Sequence, residues 1–209
     1  GWFARNLAPE MAAALDRLAR ALGCPPLPDL PGVAQARSAA FLMTAYEGGR
    51  FHLPELRERA LDYDPATRDR LIAGAALPEA AYREALAYRE RFRARMMALF
   101  DRTDVLIAPS THGPAPPIAD PTIMIDGAPA PARANLGLYT QPISFLGLPV
   151  VAAPLPVAGL PMGVQLIGRP GADAELLGFA GWCEAEGLLG QPQDGSRLEA
   201  VQAEPSPRP

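Results

Sequence analysis

Ser110, Thr111 and His112 set two hydroxyls beside an imidazole, the residue types that nucleophilic catalysis uses. A serine becomes a useful nucleophile when a base takes its proton and a third group holds that base. No carboxylate stands at a suggestive spacing from His112, and the surrounding loop is rich in proline, so the trio reads as surface structure. His52 reads the same way. Ser144 lies in Pro142-Ile143-Ser144-Phe145, without the glycine-flanked elbow that exposes a hydrolase serine. Cys24 and Cys183 are far apart and lack CxxC spacing, a pattern of reduced, cytoplasmic thiols and not of a zinc site or disulfide. Neither a metal nor a cofactor is expected. All 19 basic residues are arginine, so the chain has no lysine at all.

The elements that could position a site are organised around residues 135–171, where two apolar runs flank a short glycine turn and lead to a helix. Val150 to Ala153 and Met162 to Ile167 are nearly continuous in apolarity, which predicts strands covered on both faces. Gly168 to Gly171 stops the second strand. Residues 172–188 then have helical spacing, with Leu176, Leu177, Phe179, Ala180, Trp182 and Cys183 on one side.

Upstream, Pro9 opens an amphipathic helix carrying Met11, Leu15, Leu18 and Leu22, stopped by Gly23. A second helix over Val33 to Tyr46 is expected to break at Glu47-Gly48-Gly49-Arg50. Asp64 and Pro65 supply the N-cap and first turn of a third, through about Ala76. A fourth runs from Pro78 to Asp101, with a solvated outer face of arginine and glutamate and with Met96, Met97 and Phe100 in the core. Asp104 to Pro109 reads as a buried strand in the same sheet as Val150 and Val164. Thr122 to Ile125 followed by Asp126-Gly127 predicts a hairpin with a type I′ turn. The polar residues 190–209 read as a flexible tail after a domain over 1–189.

The central stretch resembles the C-terminal half of the amidase signature family. The family's "T-x-P-x-x-x-x-G-L-P" run is matched by Thr140, Pro142, Gly147, Leu148 and Pro149. Its "G-L-P-x-G-x-Q-x-I-G" run is matched by Gly159, Leu160, Pro161, Gly163, Gln165, Ile167 and Gly168. Asp104-Val105-Leu106 with Pro109 is similar to its "D-V-L-x-x-P" strand. The resemblance implies an α/β fold, a mixed sheet covered by helices. It also implies amide hydrolysis by a serine, a bridging serine and a lysine kept neutral by burial, with backbone amides at the oxyanion. This chain has neither the lysine nor a glycine- and serine-rich loop. On that reading it is the C-terminal half of an amidase, inactive alone, whose catalytic groups lie in an N-terminal half.

Substrate recognition is what remains for these residues. Arg70, in Arg70-Leu71-Ile72-Ala73-Gly74, matches the family's "R-[IL]-x-x-G" element, whose arginine meets a substrate carboxylate in glutamine-using members. Its alternative role is a surface pair with Asp69 or Glu79. The position of Gly137 resembles one that carries an aspartate for the amino group of glutamine in tRNA-dependent amidotransferase A subunits, a departure that counts against glutamine as substrate. The wording of residues 132–151 is most similar to the carboxybiuret hydrolase branch, which implies a small carboxylated urea derivative. Arg133, Asn135 and Gln141 are the donors that would hold such a planar anion, each with a competing role as a cap or core hydrogen-bonder. Glu47 matches an acidic position of the family and reads as structural. The alternatives are a broad-specificity amidase, an amidotransferase A-type subunit, or a non-catalytic assembly subunit.

The totals narrow the partners. A net charge of -4, with arginines interleaved among acids, gives no basis for nucleic-acid or anionic-membrane binding. No apolar run approaches the ~20 residues of a membrane span, and no signal sequence opens the chain, so a soluble cytoplasmic protein is expected. The expected partners are a small amide and the N-terminal half of the amidase or a small accessory subunit. Unpaired edges at Val105 to Ile107 or Val164 to Ile167 would favour oligomers.

Overall fold

The computed structural model describes residues 1–27 and 29–190. Helix α1 (Pro9–Ala21) starts on its proline and ends in a Schellman motif. There Gly23 takes φ +64°, its N–H meets the Arg20 carbonyl at 3.1 Å, and the Cys24 N–H meets that of Ala19 at 2.8 Å. Met11 and Leu18 are buried, as their spacing requires.

Helix α2 (Val33–Arg59) corrects the expected break at Glu47 to Arg50: it runs 27 residues through both glycines and through Pro54. The reason is the next helix, α3 (Pro65–Ala75), which lies against it. A methyl on Gly49 would sit 2.2 Å from the Ala75 nitrogen, and one on Gly74 would sit 1.9 Å from the Ala45 carbonyl oxygen. Two backbones this close accept only glycine, so packing outweighs the roughly 1 kcal/mol that glycine costs a helix interior. Asp64 caps α3 as expected, accepting from the Thr67 N–H at 2.9 Å.

Helix α4 (Glu79–Leu99) lies on α2 and buries Phe92 and Met96. Strand β1 (Val105–Pro109) follows, then the hairpin of β2 (Thr122–Ile125) and β3 (Ala128–Pro131). Asp126 and Gly127 at φ +50° and +80° make the turn whose positive dihedrals their sequence predicts. Two single-turn helices, α5 (Ala132–Asn135) and α6 (Gln141–Ser144), precede β4 (Val150–Pro154), β5 (Gly163–Gly168) and α7 (Asp173–Ala185).

The main sheet has the order β1-β5-β4. Every strand pairing among the described residues is antiparallel, where the resemblance implied a mixed sheet. Val164 and Leu166 on β5 face a core with Met11, Leu18, Leu176 and Cys183. Ile167, on the opposite face, meets Val33, Phe92, Met96 and Leu106. Helices on both sides thus explain the apolarity of β5, interrupted only by Gln165.

Three expectations change. Val164 to Ile167 is the central strand and has no free edge; the edges are β1 and β4. The turn between β4 and β5 is an eight-residue loop, closed where the Leu155 N–H meets the Met162 carbonyl at 2.9 Å. Finally, α7 buries Leu176 and Cys183 but leaves Leu177 63% and Trp182 49% exposed, because only one stripe of the helix reaches the sheet. The expected tail lies outside the described residues beyond Gly190.

Candidate active site wall

The loop from Ala132 to Gly147 is fixed from beneath. Gln165, buried on β5, donates to the carbonyls of Pro109 at 2.8 Å and Tyr139 at 3.3 Å. Tyr139 is fully buried, donates to the Arg5 carbonyl at 2.5 Å, and has its phenol pushed up to about 12 by desolvation. The Trp2 indole donates to the Leu138 carbonyl at 3.0 Å. These bonds set the outward residues of α5 and α6 on a rigid base.

Asn135 and Gln141 are brought together by Arg37, a residue of α2 not singled out from sequence. Its Nε donates to Gln141 Oε1 at 3.1 Å. Its Nη2 donates to the Ala134 carbonyl at 2.7 Å and to Asn135 Oδ1 at 3.3 Å. The signal was present: Arg37 stands among small residues with no acid one helical turn away, unlike Arg83 with Glu79 on α4. Burial pulls its guanidinium below the ordinary arginine value, though an arginine stays charged.

Arg133 turns to α3 instead, donating from Nη2 to Asp64 Oδ2 and Thr67 Oγ1, each at 3.1 Å. Asp64 is held below the usual carboxylate range by the Thr67 hydroxyl first, then by the Thr67 N–H and by Arg133. Arg70, one turn beyond Thr67, lies over the Phe41 ring with its guanidinium carbon 5.1 Å from the centroid. Its alternative partners are engaged elsewhere, Asp69 with Arg68 and Glu79 with Arg83. Phe41 is one turn beyond Arg37, so α2, α3 and α5 close a ring of contacts through Arg37, Phe41, Arg70, Thr67, Arg133 and Asn135.

An open cleft of about 580 Å³ is walled by α2, α4 and residues 141–147; Gln141 lines it, with Arg89 and Arg93 and the carboxylates of Glu47 and Glu90. That volume suits a small molecule. Arg93 donates to the Leu146 carbonyl across it. Glu47 accepts from the Tyr82 hydroxyl at 2.6 Å, a structural role.

The other reactive residues are placed apart. His112 and His52 are half-buried, not loose on the surface: His112 Nδ1 meets the Asn6 carbonyl, and His52 Nδ1 lies 3.2 Å from the Tyr63 hydroxyl. Ser144 is exposed, and the buried Ser110 hydroxyl has no partner among the described residues. Cys24 and Cys183 are free thiols, both raised by burial. Among the described residues, no group of three or more His, Cys, Asp or Glu could hold a metal ion, and no helix is long and apolar enough to cross a membrane.

The family model described as Amidase matches residues 34–177, from the start of α2 into α7. The chain belongs to the amidase family. This amidase chain is 44% identical over 173 residues to the 1-carboxybiuret hydrolase subunit AtzE of Pseudomonas sp. (strain ADP), across 81% of its own length and 38% of that protein. It is 30% identical to a fatty acid amide hydrolase of Medicago truncatula, across 80% of its length and 28% of the relative's. A solved structure described as a vestigial protein complex, revealing the evolutionary origins of an s-triazine catabolic enzyme, superposes with a TM-score of 0.84. That pair shares 40% identity, across 92% of this chain and 43% of the other. The amidase chain thus spans between 28% and 43% of these proteins' length.

Proposed function

We propose that this amidase chain forms the substrate-recognition wall of a hydrolase that cleaves a small carboxylated amide or urea derivative. The reading rests on one observation: where α2 meets α3 and α5, two arginines stand without a carboxylate partner among the described residues. Arg37, Asn135 and Gln141 interlock there, and Arg70 has no carboxylate partner among the described residues. A planar anion with carbonyl oxygens offers acceptors to match. Gly137 offers no side-chain carboxylate for an ammonium group, which disfavours glutamine.

The reactive serine pair and lysine would come from an N-terminal amidase segment outside these residues, with a small accessory subunit as a further partner and an oligomer as the working form. Similarity to 1-carboxybiuret hydrolase supports the substrate class. The test is to express the chain with a lysine-bearing amidase N-terminal segment and follow ammonia release. Release from 1-carboxybiuret or urea-1-carboxylate only when both parts are present is expected; release from neutral amides alone would overturn the assignment.

A further inference from the structure

Arg37 and Gln141 do more together than fill space. Arginine only donates, so the bond from Arg37 Nε settles which end of the Gln141 amide is oxygen. Gln141 Nε2 is left without a partner among the described residues, at the rim of the cleft. Gly137 makes this possible: a methyl there would meet Gln141 Cδ at 2.5 Å and Nε2 at 2.9 Å. The amide lies in the space a side chain would take.

Arg37 is also short of an anion. It is half-buried, its three acceptors are neutral, and no carboxylate pairs with it among the described residues. Its Nη1 makes no bond among these residues. A partly desolvated charge without a counter-ion favours an anion beside it.

We propose that Arg37 is a positioning residue that turns the Gln141 amide N–H toward the cleft, creating a corner that selects a planar carboxylate over its neutral amide analogue. This rests on the proposed carboxylated substrate and names the residues that would recognise it. Gln141 supplies the hydrogen bond, Arg37 fixes its polarity and supplies the charge, and Gly137 supplies the room.

The full chain is titrated calorimetrically with oxamate, a planar amide carboxylate, and with oxamide, its neutral analogue. Oxamate is expected to bind at least about tenfold more tightly, the worth of one charge-assisted hydrogen bond. Arg37→Gln should erase that preference, weakening oxamate more than oxamide. Gln141→Glu, nearly isosteric, should also erase it while keeping or raising the melting temperature by pairing with Arg37, and it decides the matter if the Arg37 variant fails to fold. No preference in the native chain, or a preference that survives Gln141→Glu, would overturn the proposal. An assembled enzyme that hydrolyses only neutral amides would refute the carboxylated-substrate assignment and leave this binding result standing.

Discussion

Gly74→Ala tests whether α2 and α3 are held at backbone contact. The added methyl would lie 1.9 Å from the Ala45 carbonyl oxygen, where real contacts stay beyond 3.0 Å, so the helices must part by about 1.1 Å. The neighbour is backbone and cannot rotate away. Overpacking of this kind costs about 1 to 3 kcal/mol, offset by up to about 1 kcal/mol of helix propensity. A net loss of about 1 to 2 kcal/mol lowers the melting temperature of a chain this size by roughly 2 to 8 °C. Gly178→Ala on α7 is the control, because its methyl would meet nothing within 4 Å. Only the propensity gain remains there, so that variant should melt about 1 to 4 °C higher. Thermal unfolding followed by circular dichroism reads both. A Gly74→Ala chain as stable as the native one would refute the close approach, and with it the reason α2 continues past Glu47.

Asp64 sits below the ordinary carboxylate value of 3.8 in the folded chain, so its ionised form is favoured by folding. The cap's contribution is therefore complete above that ordinary value and fades as pH falls through the lower folded one. Carboxyl titration by NMR should show Thr67→Val raising the Asp64 value toward 3.8. Gln165→Leu leaves the Pro109 and Tyr139 carbonyls without their side-chain donor and should cost about 1 to 3 kcal/mol by denaturant unfolding. Gly127→Val forces a β-branched residue to φ +80° and should cost about 1 to 3 kcal/mol by the same assay, with the β2–β3 amides losing hydrogen-exchange protection first.

Local chemistry made much of this fold legible. The Asp64-Pro65 cap, the Gly23 stop and the Asp126-Gly127 turn act within a few residues, so sequence shows them directly. The two-sided cover of β5 was legible too, because a short strand that is apolar at nearly every position, with Gln165 the one polar residue, has no face suited to water. Glu47 to Arg50 failed for the opposite reason: glycine breaks an isolated helix, yet here α3 occupies the space a Cβ would need, a fact set by residues 25 positions away. The site divides in the same way. Asn135 and Gln141 stand out in the sequence as polar side chains, but that both accept from Arg37, and that Arg133 bonds the α3 cap, follows only from α2 and α3 packing against α5 and α6.

The central claim is that recognition resides in these residues and the reactive nucleophile does not. The most direct measurement is intact-mass spectrometry of the pure 22.2 kDa chain after treatment with a fluorophosphonate, which phosphonylates activated serines irreversibly. The account predicts an unchanged mass for this chain and an adduct on a serine outside it in the assembled enzyme. A stoichiometric adduct on Ser110 or Ser144 would contradict it.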